Sequence, residues 1–198
     1  FHQFIFRWRE PATRDYLLKI FVAFFITGIG GLALEKMGFK LPDHVFPVAM
    51  ALLIGGIIFV GAEFFLRGKT QKDVITWNIV FAVAVGQLVA AACPGTSRSG
   101  ATIVFALLLG LNRPLATEFS FLVGIPTMLA AGGWKILKAL RHHEVHESWS
   151  LVLLGTVVAA IVSFFAVKWL LRFVQTHTFT GFGWYRIAIG ILLLLLAH

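Results

Sequence analysis

Between Cys93 and Thr102 the chain reads Cys-Pro-Gly-Thr-Ser-Arg-Ser-Gly-Ala-Thr, one guanidinium and four hydroxyls in a stretch whose flanks are apolar. Pro94 and Gly95 are suited to end one helix, and Ser97 or Ser99 to cap the next, so the free amides of the second helix point back into the break. Such a helix terminus attracts an anion. Arg98 adds a planar fork of donors that matches phosphate oxygens, Ser97, Ser99 and Thr102 add hydroxyls, and Gly95 and Thr96 complete the expected substrate-binding set. A phosphate or diphosphate head group fits this set best, with Arg98 and Ser99 as the groups nearest the chemistry. A serine-rich turn whose arginine snorkels to an interface is the plainer alternative, but snorkelling needs no such density of hydroxyls.

Two familiar anion and nucleophile motifs do not fit. Gly95 to Thr102 matches the nucleotide P-loop spacing except that Ala101 stands where the lysine belongs, and no βαβ pattern surrounds it. The G-x-S-x-G elbow fails because Ser99 occupies the place of its second glycine. Gly28, Gly30 and Gly31 form no dinucleotide fingerprint; small residues in an apolar helix point to close packing.

The elements that must hold the motif are membrane helices. Of the 198 residues 59% are hydrophobic and 13% charged, and the mean hydropathy is +0.87, whereas soluble domains carry about 25% charged residues. Runs long enough to span about 30 Å of hydrocarbon are expected at about 16–34, 45–66, 115–140 and 149–173, with a last one at 184–197. Together they make one all-α membrane domain over 1–198, a polytopic helical bundle. The six Trp lie at or near the ends of these runs, as interfacial aromatic residues do. The net charge of +8 is spread between the runs, which excludes the basic stripe of a nucleic-acid binder. One cysteine, Cys93, excludes an internal disulfide and a multi-cysteine metal centre.

The stretch 74–111 is apolar but broken at the motif, and its second half is too short to cross. It is predicted to be a re-entrant pair, about 74–92 and 99–111, because non-helical backbone at membrane depth is tolerated only where protein or a watery cavity serves its polar groups. A hairpin here also gathers most Lys and Arg on one side, whereas a single crossing divides them more evenly.

Other polar residues are weaker candidates. Gln87 lies two turns before the break and either approaches the head group or bonds a neighbouring helix. Glu118 either pairs with Arg98 or complements the start of its own helix. His142, His143, His146, Glu144 and Glu147 have ligand-like spacing but read as a solvated connector. Glu63 reads as interfacial, and Cys93 as a packing residue.

Pro94-Gly-Thr-Ser-Arg-Ser-Gly-Ala-Thr102, followed by Arg113, Ala116-Thr-Glu118-Phe-Ser-Phe121 and Pro126, resembles the second signature and following helix of the bacitracin-resistance type undecaprenyl-diphosphate phosphatases. The resemblance implies a multi-pass protein of the bacterial inner (plasma) membrane, built as an inverted repeat with re-entrant helices. It also implies hydrolysis of undecaprenyl diphosphate to undecaprenyl phosphate, which recycles the lipid carrier of cell-wall synthesis and confers bacitracin resistance. Ser97, Arg98, Ser99 and Thr102 would then hold the diphosphate with a divalent cation, Mg2+ or Ca2+. The expected partners are the polyprenyl diphosphate, the bilayer and a second copy in a homodimer.

That family's first signature, E-x-x-x-E followed by a Pro, Ser and Thr run with a His, is not found in this sequence. Since the chain also opens on Phe1, it is expected to lack a first helical hairpin that carries most metal ligands and the nucleophile or base. The competing function is a polyprenyl-phosphate flippase, because transporters also place broken helix ends at the midplane.

Overall fold

The computed structural model describes residues 10–38, 44–68, 71–141 and 148–196. They form seven helices, α1 Pro11–Lys36, α2 Val45–Leu66, α3 Trp77–Ala92, α4 Arg98–Leu108, α5 Arg113–Arg141, α6 Trp149–Thr176 and α7 Thr180–Leu196, with no strand among the described residues. Helices α1, α2, α5 and α6 are long and apolar enough to cross a membrane.

Several helices begin earlier than hydropathy suggests, because polar first turns do not register as apolar. Helix α1 opens on Pro11, which suits a first turn whose amides are unpaired in any case, and its early turns carry the Lys19–Asp15 ion pair at 2.6 Å. Helix α5 starts at Arg113, where Asn112 Oδ1 accepts the Leu115 amide at 2.8 Å and so caps it.

The broken pair is a hairpin closed at its base. Ahead of α3, the Lys72 amide donates to Gly110 O at 2.7 Å, and beyond α4 the Asn112 amide donates to Lys72 O at 3.1 Å. The Asn112 amide side chain also donates to Asp73. Chain entry and chain exit are thereby joined, so α3 and α4 run into the bundle and back to the same end. At eleven residues, α4 is about 16 Å long, half of what a crossing takes.

The hairpin is packed on both sides. Val80, Val83 and Ile79 of α3, Leu107 of α4 and Phe119 and Val123 of α5 are fully buried together. On its flank α1 meets α3 at Gly30, where a Cβ would lie 2.5 Å from Leu88, the close packing expected of that glycine run. On the opposite flank α2 pairs with α7 through Gly56 and Gly183: a Cβ on Gly56 would stand 2.7 Å from Gly183 O. Helix α6 rests on α5 and buries only Val174 among its described residues.

Candidate anion site at the break between α3 and α4

The turn itself follows from two residues. Helix α3 ends at Ala92, and Gly95 takes φ +83°, the left-handed conformation that reverses the chain without a side-chain clash. Gly95 also lies against α2, where a Cβ would stand 2.7 Å from Val48 O. Both conditions exclude any other residue.

Ser97 caps α4, its Oγ accepting the Gly100 amide at 3.1 Å, while the Ala101 amide donates to Ser97 O at 2.8 Å. No acceptor among the described residues takes the amides of Arg98 and Ser99. These two N–H groups are the free positive end of the helix. Ser99 Oγ lies 3.3 Å from Ser97 Oγ, so the two hydroxyls share one side of this first turn.

Arg98 is half-buried and donates from Nη1 to Gly124 O on α5 at 3.0 Å. Pro126 lies in the same stretch of α5; having no amide, it leaves the carbonyl of Leu122 without its helical donor one turn back. Val123 O accepts the Thr127 hydroxyl at 2.8 Å in the same turn. Gly124 also makes room, since a Cβ would lie 2.8 Å from Arg98 Nη2. One guanidinium N–H is thus anchored, the planar fork is fixed in direction, and the remaining donors have no partner among the described residues.

Thr102 is placed differently from Ser97 and Ser99. It is 1% exposed, and its hydroxyl donates back to Arg98 O and Ser99 O, each at 3.0 Å. It braces the first turn from behind. Thr96 and Ser97 instead line an apolar groove of about 400 Å3 between α2, the break and α4, whose walls include Met50, Ile54, Phe59, Val104 and Phe105. Cys93, free and exposed, lies at its edge.

Gln87 and Glu118 stand apart from the motif. Gln87 is 2% exposed and donates from Nε2 to Thr27 Oγ1 on α1 at 3.2 Å, which joins two helices. Glu118 makes no ion pair with Arg98; it lines a groove between α5 and α6 together with Lys168. The histidine cluster His142, His143 and His146, with Glu144 and Glu147, lies outside the described residues. Among the described residues no three His, Cys, Asp or Glu gather as metal ligands. The break itself presents cationic donors, so these residues by themselves do not suit a divalent cation.

Two charged residues near this architecture escape a reading by motif. Arg186 of α7 is 5% exposed and donates from Nη2 to Gly95 O at 3.1 Å and, at the limit of a hydrogen bond, to Ala51 O. The signal was in the sequence: an arginine inside the last apolar run is as costly as Arg98 in the break. Glu63, also inside a run, is buried and accepts Arg113 Nε at 3.0 and 3.2 Å and the Phe179 amide at 3.0 Å. It clamps the end of α2 to the starts of α5 and α7.

The sequence profile described as Bacitracin resistance protein BacA matches residues 2–192. An undecaprenyl-diphosphatase of Rhizobium etli (strain CIAT 652) is 49% identical over 189 residues, which is 94% of this chain and 71% of that protein. The undecaprenyl-diphosphatase of Xanthomonas euvesicatoria pv. vesicatoria (strain 85-10) is 46% identical over 188 residues, again 94% and 71%. With the profile matching nearly end to end, and the PGTSRSGAT break built as a hairpin whose second helix opens on unpaired amides, this multi-pass membrane chain belongs to the bacitracin resistance protein BacA family.

Proposed function

We propose that the protein hydrolyses undecaprenyl diphosphate to undecaprenyl phosphate and phosphate in the bacterial inner membrane, so recycling the lipid carrier of cell-wall synthesis and conferring bacitracin resistance. The observation that carries this reading is Arg98: a guanidinium at the free N-terminus of α4, inside a hairpin that enters the bundle and returns, held by a backbone carbonyl and by no carboxylate among the described residues. A cation so placed calls for an anion. The family relatives at 49% and 46% identity bear the name of this activity.

In this reading Arg98 and the amides of Arg98 and Ser99 bind the diphosphate and stabilise the charge that gathers on the transferred phosphoryl group. Ser97 and Ser99 hydroxyls orient it, with Gly95 and Thr96 forming the turn and Thr102 bracing it. Overall, one anhydride P–O bond is broken and the elements of water are divided between phosphate and the lipid phosphate. A divalent cation, Mg2+ or Ca2+, would neutralise diphosphate oxygens. Its protein ligands would come from outside the described residues, since no carboxylate cluster adjoins the break.

The test is release of inorganic phosphate from undecaprenyl diphosphate by the full-length protein in detergent, with and without a chelator. Release that needs a divalent cation and depends on Arg98 supports the reading. Movement of polyprenyl phosphate between leaflets of a vesicle without phosphate release would replace hydrolysis by transport. For assembly we propose a homodimer across α6, whose described residues bury little else than Val174 within one chain. Cross-linking between copies through Val158→Cys in membranes checks it.

A further inference from the structure

Arg186 has no counter-ion among the described residues. Its side chain is nine-tenths buried and more, its Nη2 meets only carbonyl oxygens, Gly95 O at 3.1 Å and Ala51 O at 3.5 Å, and its buried Nε has no hydrogen-bond partner. The ion pairs among the described residues, Lys19 with Asp15 and Arg113 with Glu63, leave it out. A buried charge served by carbonyls alone is costly, and an unmade hydrogen bond adds to that cost. An anion offsets the first.

The surroundings of Arg186 define what that anion is attached to. The guanidinium lies over Gly55, where a Cβ would meet Nη2 at 3.0 Å and Nε at 3.4 Å, so the missing side chain is what lets Arg186 pack against α2 beside the groove. Arg186 lines the same groove of about 400 Å3 as Thr96 and Ser97, and every other wall is apolar. A cationic corner with two hydroxyls at the end of an apolar groove matches an amphiphile: an anionic head on a hydrocarbon chain. Arg98 does not line this groove; it faces α5 from the other side of the same turn.

We infer that Arg186, with Thr96 and Ser97, seats the phosphate that stays with the lipid, and that the groove between α2 and α4 takes the first isoprenoid units. The inference rests on the reading above and divides its substrate between two guanidiniums. Arg98 holds the phosphate that leaves. Arg186 holds the one that remains. The contact from Nη2 to Gly95 O is retained throughout, and Nη1, which makes no hydrogen bond among the described residues and is not enclosed as Nε is, is the donor offered to lipid.

Binding of undecaprenyl phosphate to the full-length protein in detergent, measured beside phosphate release, tests this. Arg186→Gln and Arg186→Lys should weaken undecaprenyl phosphate binding and raise KM for undecaprenyl diphosphate about tenfold or more, with inhibition by inorganic phosphate changed less than about twofold. Should Arg186→Gln not fold, Ile54→Trp serves. Ile54 is 48% exposed and lines the groove, so a larger ring is accommodated while it blocks the chain, and it should weaken undecaprenyl phosphate without affecting inorganic phosphate. Unchanged lipid phosphate binding in these variants, or equal weakening toward lipid phosphate and inorganic phosphate, overturns the assignment. Wild-type protein that binds undecaprenyl phosphate but releases no phosphate from the diphosphate would instead overturn the hydrolase reading alone.

Discussion

Arg113 and Arg186 both bring a guanidinium against α2, and they meet opposite surroundings. Arg113 finds Glu63, which also accepts the Phe179 amide, so charge and hydrogen bonds close among the residues that join α2, α5 and α7. Arg186 finds only Gly95 O and Ala51 O and keeps a buried N–H unused. Arg98 resembles Arg186, with Gly124 O as its partner. Where a buried charge is answered by another side chain, it serves the architecture; where the described residues answer it with carbonyls alone, it is the charge proposed to meet a ligand.

The strongest way to break this contrast is Arg98→Lys in the full-length protein. A lysine keeps the charge but cannot hold Gly124 O and present a planar fork to phosphate at the same time. Phosphate release per molecule should fall about 100-fold or more, as for loss of one donor aimed at developing charge, with thermal unfolding little changed. Near-normal release would take Arg98 out of the site.

Glu63→Gln probes the paired side of the contrast. It leaves Arg113 without its anion, and breaking a buried pair costs about 3–5 kcal/mol. Arg113 retains some solvent, its side chain being 23% exposed against 4% for Glu63, so the lower end of that range is expected. Thermal unfolding in detergent should show a clear drop in Tm, while the variant that remains folded keeps most of its turnover. An unchanged Tm, or a loss of turnover as deep as that of Arg98→Lys, would erase the distinction between architectural and ligand-facing arginines.

Gly124→Ala sharpens it further, because the two effects have opposite signs. An alanine favours the helix over glycine by about 0.5–1 kcal/mol, yet its Cβ would stand 2.8 Å from Arg98 Nη2. Unfolding should therefore occur at the same or a higher temperature while phosphate release falls, by about tenfold for a misplacement well under 1 Å. A variant with full activity would show that the guanidinium need not be held by α5.

The sequence reveals the break and the apolar runs because both are local: a cluster of polar residues in an apolar stretch, and lengths set by bilayer thickness. It also identifies Arg98 by its isolation. Arg186 and Glu63 carry the same signal, a charge within a run, but without neighbouring polar residues they read as headgroup charges. Which helix meets which is not in the periodicity, so neither the Gly124 anchor on α5 nor the seat beside Gly55 on α2 was legible. Gln87 illustrates the same limit: its face is predictable, but its partner Thr27 lies 60 residues away.

Thr102→Val gives the smallest expected effect and decides how far the ligand-facing surface reaches into α4. Its type and spacing place Thr102 with Ser97 and Ser99 in the cradle, since all three follow one short turn. The fold sets it apart: its hydroxyl is spent on Arg98 O and Ser99 O, and almost none of it is exposed. Valine fills the same space and removes that brace, for a cost of about 0.5–1.5 kcal/mol in stability. Because no ligand contact is lost, phosphate release should stay within about threefold of the parent, as expected of a group that does not interact with the transition state. Ser97→Ala, which strips a helix cap that also lines the groove, should cost more in both measurements. A thirtyfold loss in Thr102→Val at unchanged Tm would mean that this hydroxyl turns toward the phosphate when substrate binds, and the anion site would then extend one full turn into α4.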